Sequence, residues 1–150
     1  MICGYRHTGL VVRNLEKSLA FYEGVLGFCL WKRMVETGTY IETVVGIPGV
    51  VLEWAKLKAP DDSLIELLQY HSHPDPTADC KLQPSNKLGC SHLAFTINHI
   101  EELYHVLLEK GILCKSEPQT APDGTAKVLY CHDPDGIILE LVEDCQSARL

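Results

Sequence analysis

The sequence predicts an α+β fold made of two tandem copies of one module, in which a strand is followed by a helix and then by several strands. The segments "HTGLVVRNLEKSLAFYEGVLGF" (7–28) and "HLAFTINHIEELYHVLLEKGI" (92–112) each run from a histidine through a short β-like stretch and an amphipathic stretch to a glycine. The segment 71–87 is rich in proline and polar residues and lacks periodicity, as is typical of a connection. We therefore predict one domain over 1–150, with module one at about 5–70, a linker at about 71–87 and module two at about 89–145.

The helix of each module is predicted by apolar residues that recur at helical spacing. These residues are Leu15, Leu19, Tyr22 and Leu26 in the first helix and Ile100, Leu103, Tyr104, Leu107 and Leu108 in the second. Asn14 is a suitable N-cap for the first helix, and Gly27 and Gly111 stand where the helices should end.

Strands are predicted after each helix from short runs rich in β-branched and aromatic residues. The predicted strands are 28–35, 39–45, 50–57 and 63–70 in module one and 112–116, 126–132 and 137–143 in module two. Module one is longer in this region, and we assign its extra material to 37–57. The apolar stretch "VVGIPGVV" (44–51) fits a loop that covers a site, ordinary core, or a dimer contact equally well.

Composition excludes several classes of function. A net charge of −7 disfavours non-specific nucleic-acid binding, and no apolar run approaches the roughly 20 residues of a membrane span. The start of the chain has no signal pattern, so we expect a cytoplasmic protein. Seven cysteines without a C-x-x-C pair predict small, buried, reduced residues rather than a disulfide framework or a zinc ribbon.

Two glutamates interrupt apolar strands in the same way. Glu66 lies in "PDDSLIELLQY" (60–70) and Glu140 in "DPDGIILELVE" (133–143), each six residues after the proline of a Pro-Asp turn. A carboxylate in such a strand is costly unless something pairs with it. The module repeat adds His7 and His92, and two imidazoles with two carboxylates suit a divalent metal such as zinc, nickel, cobalt, manganese or iron.

These motifs resemble the vicinal oxygen chelate superfamily, which includes glyoxalase I, methylmalonyl-CoA epimerase, extradiol dioxygenases and fosfomycin- and bleomycin-resistance proteins. The resemblance rests on "HTGLVVRNLEKSLAFYEGVLGF", "SLIELLQY", "SHLAFTI" and "DPDGIILELVE". It implies two βαβββ modules that form a half-open, barrel-like sheet around one divalent metal ion, with nickel, cobalt or zinc favoured over iron or manganese. By this resemblance His7, Glu66, His92 and Glu140 are the metal ligands, and the chain forms a homodimer whose sites lie within one chain or are shared between two.

The presence of Glu66 makes the chain most similar to the glyoxalase I (lactoylglutathione lyase) members. That likeness implies a lyase or isomerase that abstracts a proton next to a metal-bound carbonyl of a thiol adduct or thioester. Glu140 is then the first candidate base and Glu66 the second. A methylmalonyl-CoA epimerase, an extradiol-type dioxygenase and a drug-binding or resistance protein remain as alternatives.

Several other residues enter as weaker candidates. Glu53 is a third candidate base or an exposed strand residue, and His132 is a candidate for the mouth of the site. His71 and His73 are interpreted as solvated loop residues. The cationic candidates for a substrate carboxylate are Arg13, Arg33 and Lys87.

Overall fold

The computed structural model describes residues 1–76 and 82–145. The chain divides into two compact units, Met1–Asp79 and Cys80–Leu150. This division lies inside the segment predicted as the linker, of which residues 77–81 lie outside the described residues. The assignment of the whole chain to a single domain stays a prediction.

Each unit contains an open four-stranded mixed sheet, which confirms the predicted α+β class. The first unit consists of β1 (Thr8–Val11), α1 (Leu15–Gly24), β2 (Cys29–Glu36), α2 (Thr39–Val45), β3 (Leu52–Lys58) and β4 (Leu64–Tyr70). The second consists of β5 (Leu93–Thr96), α3 (Ile100–Glu109), β6 (Gln119–Thr120), β7 (Ala126–His132) and β8 (Ile138–Asp144). The strand orders are β1-β4-β3-β2 and β5-β8-β7-β6, and in each sheet the first strand runs parallel to its neighbour while the other pairs are antiparallel.

The N-termini of α1 and α3 each accept support from a side chain of the last strand of their unit, and α1 is also capped by the residue before it. Asn14 caps α1 as predicted, since its Oδ1 accepts a hydrogen bond from the Lys17 N–H at 2.9 Å, and Gln69 Oε1 accepts another from the Leu15 N–H at 2.6 Å. In the second unit the Glu143 carboxylate accepts from the backbone N–H of His99 at 2.6 Å. Each helix is thereby fixed to one face of its sheet.

The sheet face that meets α1 in the first unit, and α3 in the second, forms a core. In the first sheet this face carries Leu10, Ala55, Leu57, Ile65 and Leu67, all buried. In the second it carries Leu129, Cys131, Leu139 and Leu141, also buried. Because side chains alternate along a strand, the residues between these positions project from the opposite face.

The prediction of a strand at 39–45 is wrong, because this segment is helix α2. Its composition is rich in threonine and valine, which favours strands. The helix is nevertheless adopted because its Ile41 packs against Val50, Leu52 and Trp54, and Gly46 ends it in the left-handed conformation at φ 72°. Tertiary burial therefore overrides local propensity here.

The predicted strand at 112–116 is also wrong in extent. Only Cys114 forms a bridge there, opposite Cys131, with hydrogen bonds from Lys115 N–H to the Tyr130 carbonyl and from His132 N–H to the Leu113 carbonyl. Pro118 follows, and a proline cannot donate to a ladder. The pairing resumes as the short strand β6.

Composition predicts that the chain has no membrane span and that its cysteines are buried and reduced. None of the helices in 1–76 and 82–145 is long and apolar enough to cross a membrane. The described cysteines are free thiols, as predicted, but the expected burial holds for Cys131 and fails for Cys3, Cys29 and Cys90, which are exposed. Cys80 lies outside the described residues.

Candidate metal centre

The first unit brings His7 and Glu66 together. His7 immediately precedes β1, and Glu66 occupies the middle of β4, where it pairs in parallel register with Gly9. The Nε2 atom of His7 lies 3.0 Å from Oε2 of Glu66, and the two side chains are 22% and 14% exposed. His7 Nδ1 is buried and has no hydrogen-bond partner among the described residues.

The second unit builds the same contact from His92 and Glu140. His92 immediately precedes β5, and Glu140 pairs in parallel register with Ala94, so the histidine again lies two residues before the partner of the glutamate. The Nε2 atom of His92 lies 3.0 Å from Oε2 of Glu140. The two contacts thus share the same atoms, the same distance and the same strand register.

Strand alternation explains why each glutamate faces away from the core. Gln69 and Glu143, which hold the helix N-termini, each follow the glutamate of their unit by three residues. An odd spacing on a strand puts the two side chains on opposite faces. One face of each last strand therefore carries the residue that anchors the helix, and the other carries the glutamate that meets the histidine.

The neighbours of the two contacts differ. Lys56 lies directly across from Glu66 on β3, and its Nζ is 3.4 Å from Glu66 Oε1. Tyr130 occupies the equivalent position across from Glu140, and its ring centroid lies 5.3 Å from that of His92. Burial, and then the nearby charge of Glu140, raises the pKa of the Tyr130 phenol, so it stays protonated at neutral pH. A cation therefore flanks one contact and a neutral phenol the other.

Sequence reasoning missed Lys56 and Tyr130, although a signal for them was present. Each precedes the glutamate of its unit by ten residues, so the repeat that relates Glu66 to Glu140 also relates these two positions. Because one is a lysine and the other a tyrosine, their equivalent positions in the two modules become apparent only from the strand pairing.

The donor atoms fit a divalent metal ion. Imidazole nitrogen and carboxylate oxygen are donors for zinc, nickel, cobalt, manganese and iron, and in each unit the Nε2 atom already faces a carboxylate oxygen. Within 1–76 and 82–145, no three or more His, Cys, Asp or Glu side chains gather into a group that could hold a metal. That His7, Glu66, His92 and Glu140 join on one ion stays a prediction.

Glu53 does not share the face of Glu66. It precedes Lys56, the cross-strand partner of Glu66, by three residues on β3 and so projects from the opposite face. There its carboxylate accepts a hydrogen bond from Arg33 Nε at 2.7 Å and lies 2.8 Å from His71 Nε2. The interpretation of Glu53 as an exposed residue is therefore wrong, and Arg33 is engaged in this network. His71 is exposed, as expected of a solvated residue, although it also contacts Glu53.

Arg33 ties the Glu53 network to helix α1, since its Nη2 also contacts the Glu16 carboxylate at 2.5 Å. The hydrogen bond from Arg33, and then that from His71, holds the pKa of Glu53 below its usual value. A carboxyl group with a lowered folded-state pKa stabilises the fold above its unfolded-state pKa of about 4.3, and that contribution is lost as the pH falls through the folded-state value.

We therefore expect the Arg33→Met variant to lose stability at neutral pH and to depend less on pH below about 4.3 than the wild type. The measurement is the free energy of unfolding in urea between acidic and neutral pH. Lys58→Met, which removes an ion pair to exposed Asp62, is the control and should leave the slope close to that of the wild type. Parallel profiles for the Arg33 variant and the wild type would contradict this account.

His132 is buried rather than placed at an open surface. The residue is only 5% exposed, and its Nδ1 lies 3.2 Å from the Leu113 carbonyl oxygen. Its Nε2 has no partner among the described residues. This placement does not support the prediction that His132 lines the mouth of a site.

The stretch 44–51 contributes ordinary core, one of the three interpretations that the sequence left open for it, since Val50 is buried and Val45 and Ile47 pack against its cluster. Ile41 of α2 and Val50 pack with Leu52 and Trp54 of β3. Leu52 and Trp54 are separated from Lys56 by even numbers of residues, so they share the face of Lys56 and Glu66. Helix α2 therefore forms an apolar wall on the face that carries the His7–Glu66 contact.

Comparisons with known proteins agree with this architecture. A family model described as "Glyoxalase/Bleomycin resistance protein/Dioxygenase superfamily" matches residues 4–141. The protein YwkD from Bacillus subtilis is 31% identical over 140 residues, which cover 91% of this chain and 94% of YwkD. A lactoylglutathione lyase from Neisseria meningitidis serogroup B is 29% identical over 138 residues, covering 91% of this chain and 88% of the lyase. The crystal structure of a glyoxalase family protein from Bacillus cereus superposes with a TM-score of 0.87 at 26% identity, over 96% of this chain and 95% of that one.

Proposed function

The chain belongs to the glyoxalase/bleomycin resistance protein/dioxygenase superfamily, and we propose that it is a metal-dependent enzyme that moves a proton next to a carbonyl group. The reaction is of the glyoxalase I type, a lyase or isomerase reaction on a thiol adduct or thioester. The observation that carries this proposal is the duplicated His–Glu contact, with Nε2–Oε2 distances of 3.0 Å in both units. The same atoms meet in both units although the cross-strand neighbours of the glutamates, Lys56 and Tyr130, differ.

His7, Glu66, His92 and Glu140 would hold the metal ion in this proposal. Nickel, cobalt and zinc are the preferred ions, and iron and manganese suit the same donors. A bound ion would act as a Lewis acid on the substrate carbonyl and stabilise the negative charge that develops there. The apolar wall formed by α2 in the first unit would restrict water near the substrate.

Glu140 is the first candidate for the base. One oxygen of Glu66 meets His7 and the other meets Lys56, so both already have charged or polar partners. Glu140 contacts His92 through Oε2, and the structure places no lysine or arginine against it in the described residues. Its neighbour Tyr130 stays protonated and so adds no competing base. Glu140 is therefore the carboxylate better placed to take a proton, and Glu66 is the second candidate.

The test is a metal analysis followed by two assays on the full chain. The protein is purified without chelators, loaded with nickel, cobalt or zinc, and freed of excess ion by gel filtration. We expect retained metal and isomerisation of the hemithioacetal of methylglyoxal and glutathione. Exchange of the acidic proton of methylmalonyl-CoA with deuterated water would instead support the epimerase alternative. Oxygen consumption with a catechol, or no retained metal, would overturn the proposal.

We also expect a homodimer. Strand β2 is an edge of the first sheet, and it exposes the large apolar side chains Leu30, Trp31, Met34 and Val35. Exposed edges with apolar residues favour pairing with another chain unless they are covered. Light scattering at micromolar concentration should report twice the 16.7 kDa mass of the chain. A monomer under these conditions would count against the dimer, and Val35→Lys should shift a true dimer of this kind toward monomer.

A further inference from the structure

Two lysines lie directly opposite each other on β2 and β3. Lys32 is the cross-strand partner of Lys56, and like charges in this position destabilise a sheet. Both ammonium groups lie over the ring of Trp54, Lys32 at 5.6 Å and Lys56 at 4.9 Å from its centroid. Two cations are thus gathered on one aromatic side chain, and a bound anion would relieve the repulsion between them.

The residues around this pair supply only part of that negative charge. Lys56 Nζ contacts Glu66 Oε1 at 3.4 Å. The contact that the structure shows for Lys32 is the Trp54 ring, and no ion pair to it occurs within 1–76 and 82–145. Arg33, the next residue along β2, is engaged by Glu16 and Glu53. The lysine pair therefore keeps an excess positive charge, whereas the neighbouring arginine does not.

The position of the pair connects it with the candidate metal centre. Lys56 and Trp54 share the sheet face of Glu66, whose other oxygen meets His7. An anion bound by Lys56 would consequently lie within a few ångströms of a ligand held at His7 and Glu66. Next to it stands the apolar wall, in which Leu68 and Ile47 pack against the cluster of Trp54 and Ile41.

We infer that Lys32, Lys56 and Trp54 form an anion-binding subsite. Its ligand is a small organic acid that carries a carboxylate close to its carbonyl oxygen and an apolar substituent for the α2 wall. A phosphonate offers the same charge and is the alternative source of the anion. This acid is neither the thiol adduct nor the thioester of the proposed reaction, and its binding does not depend on that reaction.

The test uses the fluorescence of Trp54 in metal-free protein. The Trp31→Phe variant leaves Trp54 as the single tryptophan, and an anion that draws the ammonium groups from the ring should change its emission. The probes are 4-methyl-2-oxopentanoate, its neutral methyl ester, and isobutylphosphonate. We expect saturable binding of the oxo acid and much weaker binding of the ester. Tighter binding of the phosphonate would assign the subsite to phosphonates rather than carboxylates.

Variants made in the same background decide which side chains bind the anion. Lys32→Met should weaken binding of the oxo acid at least about tenfold, as expected for loss of one charge-assisted hydrogen bond, while Lys32→Arg should retain most of it. The matched control is Lys58→Met, because Lys58 lies two residues after Lys56 on β3 but is paired with Asp62. Thermal unfolding checks that each variant is folded.

Three results would overturn the inference. The first is equal affinity for the acid and the ester. The second is an equal loss of affinity in Lys32→Met and Lys58→Met, and the third is the absence of any saturable change in Trp54 emission with either anion. These measurements need neither bound metal nor turnover, so their outcome is independent of the tests of the proposed reaction. Anion binding without isomerase activity would leave the subsite intact and refute only the reaction.

Discussion

The Glu140→Gln variant should lose turnover by about 10²- to 10⁴-fold, the usual contribution of a general base. Glutamine keeps the length of the side chain and an oxygen that can still meet His92 or a metal, but its amide cannot take a proton. The loss should therefore appear in kcat, with KM close to the wild-type value and with metal still bound after gel filtration. This split between binding and turnover separates a base from a residue that only shapes the site.

Two further variants are needed, one as a control and one to test the other candidate base. Glu109→Gln changes an exposed glutamate at the end of α3 and should leave kcat unaltered. Glu66→Gln tests the second candidate for the base. We expect this variant to retain less metal than Glu140→Gln, although both lose one negative charge. The reason is that Lys56 would be left without its carboxylate partner, so its positive charge would oppose the metal ion. Wild-type turnover by the Glu140 variant would transfer the role of base to Glu66.

Replacing His92 with alanine should abolish stoichiometric metal binding while the chain still folds. Loss of a residue that merely orients a metal ligand lowers affinity about 10- to 100-fold, so removal of a ligand itself should cost more. The side chain of His92 is one-third exposed, and its removal leaves only a modest gap beside Tyr130. Metal content after loading, with unfolding temperature measured alongside, gives the answer.

His105 offers a matched control, because it is an exposed histidine on α3 whose ring also lies close to that of a tyrosine, Tyr104, at 5.8 Å. His105→Ala should bind metal as the wild type does. If His92→Ala retains one ion per chain, His92 is not a ligand and its contact with Glu140 serves the fold alone. The reciprocal variant, His7→Ala, should behave like His92→Ala if both units contribute to one ion.

The parts of the structure that the sequence predicts best are those set by local pattern. The strands around Glu66 and Glu140 follow Pro-Asp turns and are almost entirely apolar, so the two glutamates stand out before any pairing is known. Their contacts with His7 and His92 are consistent with the repeat. The family membership follows from the same motifs.

What the sequence does not predict depends on partners that are distant along the chain. Helix α2 is a helix because Ile41 is buried against β3, which its threonines and valines do not reveal. Glu53 looks like a free strand glutamate until the pairing of β2 with β3 brings Arg33 beside it. The difference between Lys56 and Tyr130 likewise has meaning only when their register with the glutamates is known.

The His7–Glu66 contact depends on the correct parallel pairing of β1 with β4. These strands are more than fifty residues apart in sequence, and pairs that distant have to close a long loop before they gain any stability. A shift of one residue in their register would turn Glu66 toward helix α1, away from His7. A chain assembled with that error would bury a carboxylate in its core and lose the donor pair at once. If the pair binds a metal as we propose, a copy with shifted strands would lose that binding together with the native register.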